Sequence, residues 1–351
     1  MTANKYSNAK LCWFPEKLAA LADGVATPPI CVRIKPTNHC PDACSWCVYG
    51  HGDGYRGVMH DTMQDQSFLT TEHLIEILDD LAAMGVLGVT FSGGGEPMAH
   101  PGFAVFADHA RAVGLSVSVI TNGLFLEGAK AQAIDRAAWV RVSIDYWNAA
   151  SRCSSRGGSE YAFDRVCRNI RKFNDIRQGD LAANFVVTRE NYEHIFDAAV
   201  LIRELGMDNV RFSPVWVDNF VEYHAPIADT VGSLIDTARG LETDDFSVYS
   251  AYRIRSDATI RDFERCRFQE VVPVIAADAR VYRCHNTAYS DVGMLGCILN
   301  QKFSDLWFSP ETWAKILAHR PKRDCCGIQC AADAKNKLYE ELIAARGDVW
   351  V

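Results

Sequence analysis

Three closely spaced cysteines near the amino terminus are the residues of this sequence best suited to chemistry. Cys40, Cys44 and Cys47 stand together in one short segment. Three thiolates this close on one loop can hold three irons of a [4Fe–4S] cube and leave the fourth iron open, so that a small molecule can bind and be reduced there. A zinc site completed by His39 or His51 is the alternative, although structural zinc normally takes four ligands in paired CxxC spacing.

A second group of cysteines lies near the carboxyl end of the chain. The chain has 13 cysteines and lacks an apolar secretory segment at its start, which predicts a cytoplasmic location. In a reducing compartment, clustered cysteines are metal ligands or reactive thiols rather than disulfides. A further metal centre is therefore expected, with a structural zinc site as the alternative. The second group contains Cys266, Cys284, Cys297, Cys325, Cys326 and Cys330.

Composition and charge exclude several classes of protein. Hydrophobic residues make up 48% of the chain and charged residues 23%, an ordinary globular balance. The net charge of −8 argues against a dedicated nucleic-acid binder, which normally presents a basic face. No apolar run approaches the roughly 18 residues that span a bilayer. We expect neither nucleic acid nor membrane as a partner.

The elements that must position these residues alternate between strands and helices from residue 30 to 216. Six strands alternating with helices predict parallel pairing and an α/β fold, a partial (β/α)6 barrel with its functional loops at the carboxyl ends of the strands. The predicted strands are Ile30–Lys35, Leu87–Phe91, Ser116–Ile120, Trp139–Ile144, Ala182–Val187 and Asn209–Phe212. The predicted helices are Thr71–Met84, Pro101–Val113, Ala129–Ala137, Tyr161–Phe173 and Tyr192–Leu205.

The alternation stops after residue 216, which predicts three regions. Residues 1–29 form an amino-terminal extension, 30–216 the barrel core, and 217–351 a linker helix with a small cysteine-rich domain. In that last region we expect short strands near Phe246–Ala251 and Val272–Tyr282 and a final helix beginning near Asp333.

At the first cysteine group the chain resembles the radical S-adenosylmethionine (SAM) superfamily, whose motif is CxxxCxxC with an aromatic residue before the last cysteine. Trp46 occupies that place. The segment Phe91–Pro97, FSGGGEP, is similar to the family's GGEP motif. The resemblance implies that Gly94, Gly95 and Glu96 receive the methionyl ammonium of SAM, glycine allowing close backbone approach and glutamate supplying negative charge. A phosphate-binding loop is the alternative, but no Lys-Ser/Thr pair follows it.

Later strands carry further parts of the resemblance, which extends over residues 30–215. Asn122 follows the third strand in the Thr-Asn-Gly sequence common at that place in the family. Ser143, in an RxSxD segment, and Arg156 are implied to hold the SAM carboxylate, with Arg152 as the runner-up to Arg156. Asn184 on the fifth strand is implied to contact the ribose or the carboxylate, and a satisfied amide at the end of the sheet is the alternative.

The second cysteine group resembles the auxiliary-cluster domains called SPASM and twitch. The segment Asp278–Cys284 is similar to their DGxVYxC turn, with Ala279 in place of the usual glycine, and Leu295–Ile298 is similar to their LGNI segment, with Cys297 where asparagine is common. The fuller SPASM pattern has additional cysteines that this chain lacks, so one auxiliary [4Fe–4S] cluster is implied. Its implied ligands are Cys266, Cys284, Cys326 and Cys330, with Cys325 able to replace Cys326.

The resemblance implies a function. A [4Fe–4S] cluster, fed by an external one-electron reductant of flavodoxin or ferredoxin type, cleaves SAM to a 5′-deoxyadenosyl radical that abstracts hydrogen from the substrate. Twitch-bearing relatives of this size favour a small polar metabolite, a sugar, aminoglycoside or nucleoside-like molecule, that is dehydrogenated, epimerised or decarboxylated. A peptide-modifying enzyme is one alternative, but such enzymes commonly carry a leader-binding segment, for which 29 residues are too few. A non-catalytic iron–sulfur or zinc scaffold, or electron carrier, is another.

Cys153 is a candidate catalytic residue for one of these reactions. It is predicted in the loop that follows the fourth strand, between Arg152 and Arg156. A thiol there could return a hydrogen atom to the opposite face of a substrate radical, which is epimerisation. An ordinary loop cysteine is the alternative.

Overall fold

The computed structural model describes residues 6–49, 62–252, 260–325 and 329–346. The α-helices in this part of the chain are α1 (Pro15–Asp23), α2 (Thr71–Met84), α3 (Phe103–Ala112), α4 (Gly128–Gln132), α5 (Ala149–Arg156), α6 (Glu160–Asn174), α7 (Ile195–Glu204), α8 (Phe220–His224), α9 (Ala228–Arg239), α10 (Phe303–Trp307), α11 (Pro310–Ala318), α12 (Pro321–Asp324) and α13 (Asp333–Ala344). The strands are β1 (Cys31–Ile34), β2 (Gly88–Phe91), β3 (Ser116–Thr121), β4 (Trp139–Ser143), β5 (Asp180–Val187), β6 (Asn209–Pro214), β7 (Ser247–Ser250), β8 (Val274–Ile275), β9 (Arg280–Tyr282) and β10 (Met294–Cys297).

The described strands form one sheet in the order β10-β9-β8-β1-β2-β3-β4-β5-β6-β7. Strands β1 to β7 pair with their neighbours in parallel, and each connection between consecutive strands contains at least one described helix. The predicted α/β fold with a partial parallel barrel is confirmed. The structure adds β7 to the six parallel strands predicted for the core.

The cysteine-rich end of the chain continues the same sheet instead of standing apart from it. Strand β8 pairs in parallel with β1, and β9 and β10 follow as antiparallel neighbours. Backbone N–H groups of Arg33 and Lys35 donate to the carbonyls of Pro273 (3.0 Å) and Ile275 (2.8 Å). This pairing satisfies the open edge of β1, and it brings the second cysteine group beside the first.

The two faces of the sheet differ in polarity. One face carries Val32, Ile34 and Phe91, each fully buried in the main hydrophobic core beneath the helices. The opposite, concave face carries the intervening residues, among them Arg33 and Arg141, which line a cavity. Side chains alternate along a strand, so one sequence supplies both a packed side and a polar side able to bind ligands.

In the part of the chain that the structure describes, no helix combines the length and the apolar character that crossing a bilayer would require.

Candidate functional site

The first cysteine loop lies at the carboxyl ends of β1 and β2. Cys40, Cys44 and Cys47 follow β1, and the glycine-rich segment follows β2. The two segments pair: the N–H of Gly95 donates to the carbonyl of Thr37 (3.0 Å), and that of Glu96 donates to the carbonyl of His39 (2.9 Å). The chain leading into the cysteines is therefore held directly against the predicted GGEP motif.

This pairing explains why glycine is needed at positions 94 and 95. A Cβ atom on Gly95 would lie well inside van der Waals contact with the carbonyl oxygen of His39, and one on Gly94 would meet the side-chain oxygen of Asn38. The resemblance implied that these glycines admit the ligand. The structure shows that they also allow the backbone of the loop before Cys40 to pack closely against this segment.

We expect Gly95→Ala to displace the cysteine loop, because its new methyl group meets backbone rather than a movable side chain. The free energy of unfolding should fall by about 1–3 kcal/mol, as for other overpacked sites, and SAM binding should weaken. Gly232→Ala is the matched control, because Gly232 lies exposed in α9 with no atom near the added Cβ. That control should be neutral or gain up to about 1 kcal/mol. Chemical denaturation of both variants checks this, and equal stability would contradict it.

Glu96 is buried and faces protein donors. Its Oε1 accepts hydrogen bonds from the N–H of Met98 (3.0 Å) and the hydroxyl of Thr121 (2.7 Å), and its Oε2 accepts from the N–H of Asn122 (2.6 Å). Burial raises the pKa of Glu96 to about 7, and these three hydrogen bonds partly oppose the rise. A carboxylate has about four lone-pair sites, so Glu96 joins the ends of β2 and β3 and keeps one site for a ligand.

Several polar atoms beside this loop are buried without a protein partner. Within the described residues, Ser92 Oγ, Asn122 Nδ2 and Arg156 Nε form no hydrogen bond. Buried polar groups are normally satisfied, and exceptions concentrate where a ligand or ion belongs. The donors Asn122 and Arg156 suit a carboxylate, and Glu96 suits an ammonium, so this set fits the amino-acid end of SAM.

Ser143 and Asn184 stand side by side at the carboxyl ends of adjacent strands. They are register partners in the pairing of β4 with β5. The Ser213 hydroxyl donates to Asn184 Oδ1 (3.0 Å), so this amide has one protein partner. Trp46 is half-buried in the cysteine loop. The structure brings Ser143 and Asn184 together, and their contacts with SAM stay predictions.

Arg152 and Arg156 occupy a buried ionic network, and the predicted contact of Arg156 with the SAM carboxylate stays a prediction. Asp42, between Cys40 and Cys44 in the chain, accepts from Arg152 (2.8 Å) and from Arg156 (3.1 Å). The second terminal nitrogen of Arg156 pairs with Asp145. These four side chains are at most 6% exposed. The guanidinium of Arg156 thus pairs with two aspartates through its terminal nitrogens, and its Nε is the one guanidinium nitrogen without a hydrogen bond among the described residues.

Cys153 follows Arg152 in the chain and was predicted to lie in a loop. Cys153 lies in α5, where the side chain of Asn148 caps the first turn by accepting from the N–H of Ser151 (2.8 Å). Its thiol is half-buried. The Asn-x-x-Ser capping sequence was the signal for this helix, and the catalytic role of Cys153 stays a prediction.

Four cysteines of the second group line one cavity. Cys266, Cys284, Cys325 and Cys330 converge on it from three parts of the chain, since Cys325 and Cys330 are only five positions apart, and Cys326 lies outside the described residues. Burial raises the pKa of Cys325 to about 12 and that of Cys330 to about 11, and the charge of Cys284 raises both further. Four mutually close thiols are a donor set that fits an iron–sulfur cluster ligated fully by protein.

Two further facts concern these cysteines as possible metal ligands. Cys297, at the end of β10, is exposed and is not among the residues lining the cavity. Within the ranges given above, no three His, Cys, Asp or Glu side chains form a group that could hold a metal ion as they stand.

Lys35 is a central residue that the sequence did not single out. Its side chain is fully buried, and its Nζ lies 3.7 Å from the ring centroid of Tyr49 without a hydrogen-bond partner among the described residues. Burial lowers the pKa of Lys35 well below its usual value, and the charges of Cys47 and Cys284 oppose that shift. Tyr49 follows Cys47 by two residues, and its hydroxyl donates to the carbonyl of His285 (2.7 Å), next to Cys284, so Lys35 lies between the two cysteine groups. The available signal was a lysine directly after a strand, where the carboxyl ends of the strands carry the candidate site.

The fold and the two cysteine sites together define an iron–sulfur enzyme built on a partial α/β barrel. Residues 34–202 match the family model described as "Radical SAM superfamily". The chain belongs to this superfamily. Its cofactors are therefore SAM, a SAM-cleaving [4Fe–4S] cluster and an auxiliary [4Fe–4S] cluster.

Curated relatives and solved structures agree with this membership. The PqqA peptide cyclase of Gluconobacter oxydans is 30% identical over 190 residues, 53% of this chain, and the match spans about half (49%) of that relative's length. The mycofactocin maturase MftC of Mycolicibacterium smegmatis is 27% identical over 314 residues, 85% of this chain and 76% of its own. Streptococcus suis SuiB bound to precursor peptide SuiA has a TM-score of 0.64 at 15% identity, covering 90% of this chain and 74% of that one, and shows the shared fold.

These relatives overturn the predicted substrate class. The main prediction was dehydrogenation, epimerisation or decarboxylation of a sugar, aminoglycoside or nucleoside-like metabolite. This prediction is wrong, because the similar proteins are named as a peptide cyclase and a maturase. The error came from counting the 29 residues before the first strand. That count does not bear on whether the concave face of the sheet can receive a peptide.

Proposed function

We propose that this protein is a radical SAM enzyme that modifies a peptide. The observation that carries the proposal is the sequence similarity to a PqqA peptide cyclase and to mycofactocin maturases. The MftC match covers 85% of the chain, so it runs beyond residues 34–202 into the cysteine-rich end. A cavity of about 470 Å³ on the concave face of the sheet offers room for peptide side chains.

The first cysteine loop is assigned to the SAM-cleaving site. Cys40, Cys44 and Cys47 hold three irons and leave one open for SAM. When bound, the reduced cluster and SAM supply a radical able to remove hydrogen from carbon. The proposed SAM contacts are Trp46, Gly94, Gly95, Glu96, Asn122, Ser143, Arg156 and Asn184.

The carboxyl-terminal region is assigned to the auxiliary cluster. Its proposed ligands are Cys266, Cys284 and Cys330, with Cys325 or Cys326 as the fourth. Regions 1–29, 30–216 and 217–351 serve as extension, SAM-cleaving core and auxiliary-cluster region. The task of the chain is to hold the peptide in one orientation and to exclude water and other hydrogen donors. Electrons come from an external one-electron reductant of flavodoxin or ferredoxin type.

Turnover with defined substrates tests the proposal. The anaerobically reconstituted protein, with SAM and dithionite, is given short peptides encoded beside its gene, or a panel of sugars, aminoglycosides and nucleosides. We expect one peptide to stimulate release of 5′-deoxyadenosine and to change mass by loss of hydrogen atoms, detected by mass spectrometry. Turnover of a small metabolite, with every peptide unchanged, would contradict the proposal.

A further inference from the structure

The concave cavity is strongly basic although the chain as a whole has a net charge of −8. Among the described residues that line it, five carry a positive charge and Asp180 carries the only carboxylate. Such a concentration of one charge in a concave site attracts ligands of the opposite charge. The five cations are Lys10, Arg33, Arg141, Arg211 and Lys335.

The three arginines lie on separate strands in similar sequence contexts. Arg33, Arg141 and Arg211 each lie between two buried apolar residues, in the sequences Val-Arg-Ile, Val-Arg-Val and Val-Arg-Phe. Arg141 and Arg211 are two strands apart, about 10 Å across the sheet, and Arg33 and Arg141 are three strands apart, about 14 Å. In the strand register each of these pairs is also displaced by two residues. The cations are therefore distributed along the cavity rather than focused on a single point.

Protein carboxylates do not neutralise these arginines within the described chain. The guanidinium of Arg141 lies 5.3 Å from the ring centroid of Trp139, and that of Arg211 lies 5.1 Å from that of Tyr6. Burial lowers the pKa of Arg33 and Arg211, and the charge of Arg141 lowers both further. The three side chains are half-buried in the cavity, and a cluster of cations with no carboxylate partner among the described residues favours an anionic ligand.

The basic cavity adjoins the cavity of the second cysteine group and lies below the proposed SAM contacts. Phe268, His285 and Ala332 line the basic cavity and also the cavity of the second cysteine group. Arg141 lies two residues before Ser143 on β4, so it is about 7 Å below the proposed SAM contacts. A ligand held by the arginines would lie within reach of the chemistry.

We propose that Arg33, Arg141 and Arg211 bind a carboxylate-rich segment of the peptide substrate. This inference rests on the proposed function, because it assumes that the substrate is a peptide. Several carboxylates spaced along an extended segment match distributed cations better than one compact phosphate does.

Binding of a defined probe, without turnover, tests the inference. Hexaglutamate is titrated by calorimetry into the reconstituted full chain at low salt, with hexaglutamine and inorganic pyrophosphate as separate arms. Hexaglutamate should bind and hexaglutamine should not. Arg141→Gln and Arg211→Gln should each weaken hexaglutamate binding about tenfold, the effect of one lost charge-assisted bond, and Arg141→Lys should weaken it less. Arg136→Gln is the matched control, since Arg136 is exposed and lies outside the cavity.

Each other outcome overturns the inference. Equal binding of hexaglutamine, or equal loss in Arg136→Gln, would show that the arginines do not recognise carboxylates. Pyrophosphate binding tighter than hexaglutamate would assign the cavity to a phosphorylated ligand. Because the assay needs no turnover, its result is independent of whether any peptide is modified, so failure here and failure of the proposed function are distinguishable.

Discussion

Replacing Cys40, Cys44 and Cys47 together by alanine is expected to remove about four of about eight irons per chain, the content of one [4Fe–4S] cluster, and to abolish release of 5′-deoxyadenosine. The loss follows because these three thiolates are the proposed ligands of the cluster that reduces SAM. Iron and sulfide analysis after anaerobic reconstitution measures the first effect, and chromatography of 5′-deoxyadenosine measures the second.

Two control variants separate this effect from general damage. Cys12→Ala, at an exposed cysteine outside both groups, should keep all iron and all activity. Replacing Cys266, Cys284 and Cys330 should remove the other four irons, about one cluster, while the first cluster still binds SAM. Retention of about eight irons by the first triple variant would show that Cys40, Cys44 and Cys47 do not hold a cluster.

Arg156→Met should lower the free energy of unfolding by about 3–5 kcal/mol, the cost of leaving buried charges unpaired. The substitution keeps a long apolar side chain but removes the cation shared by Asp42 and Asp145. It should also loosen the cysteine loop, because Asp42 lies between Cys40 and Cys44. The first measurement is urea denaturation of the variant and wild-type protein.

The loss in Arg156→Met should depend on pH in a definite direction. Burial already raises the pKa of Asp145, and Arg156 opposes that rise. Without Arg156 the pKa in the folded state rises further above its unfolded value, so the folded protein retains a proton that the unfolded chain has released. Stability of the variant then falls as pH increases through this interval. The deficit relative to wild type should be larger at pH 8 than at pH 5.

Two comparisons make this result specific. Arg203→Met, at an exposed arginine of α7, should change stability by less than about 0.5 kcal/mol. Adding Asp145→Asn to Arg156→Met should restore part of the loss, because one unpaired charge is removed. A pH-independent deficit that the second substitution does not reduce would contradict the network.

Much of the fold was predictable because it depends on short-range patterns. Helix α2 begins and ends as predicted, at Thr71 and Met84, since the Thr70 hydroxyl caps its first turn and Gly85 takes the left-handed conformation after its last. The six predicted core strands are all present, because short runs of strand-forming residues alternate with helical stretches along the chain. The first cysteine group was predictable for the same reason, because its three cysteines lie in one short loop.

Other features depend on residues far apart in the chain. The pairing of β8 with β1 joins residues more than two hundred positions apart, and no local pattern records such a partner. The ion pairs of Arg156 with Asp42 and Asp145 were not predicted, because the sequence around an arginine does not show which carboxylates it contacts in the folded protein. The substrate class was wrong for a related reason, because chain length before the core says nothing about the shape of the cavity.

The sequence by itself determined the superfamily, the parallel α/β core and the two cysteine groups, since each depends on residue types at short, regular spacing. Only the tertiary structure decided that Lys35 lies between those groups, that four cysteines from three parts of the chain share one cavity, and that three arginines line one concave face. The physical reason is that burial and charge pairing depend on distances in space. Those distances are set by which strands pair with each other in the sheet.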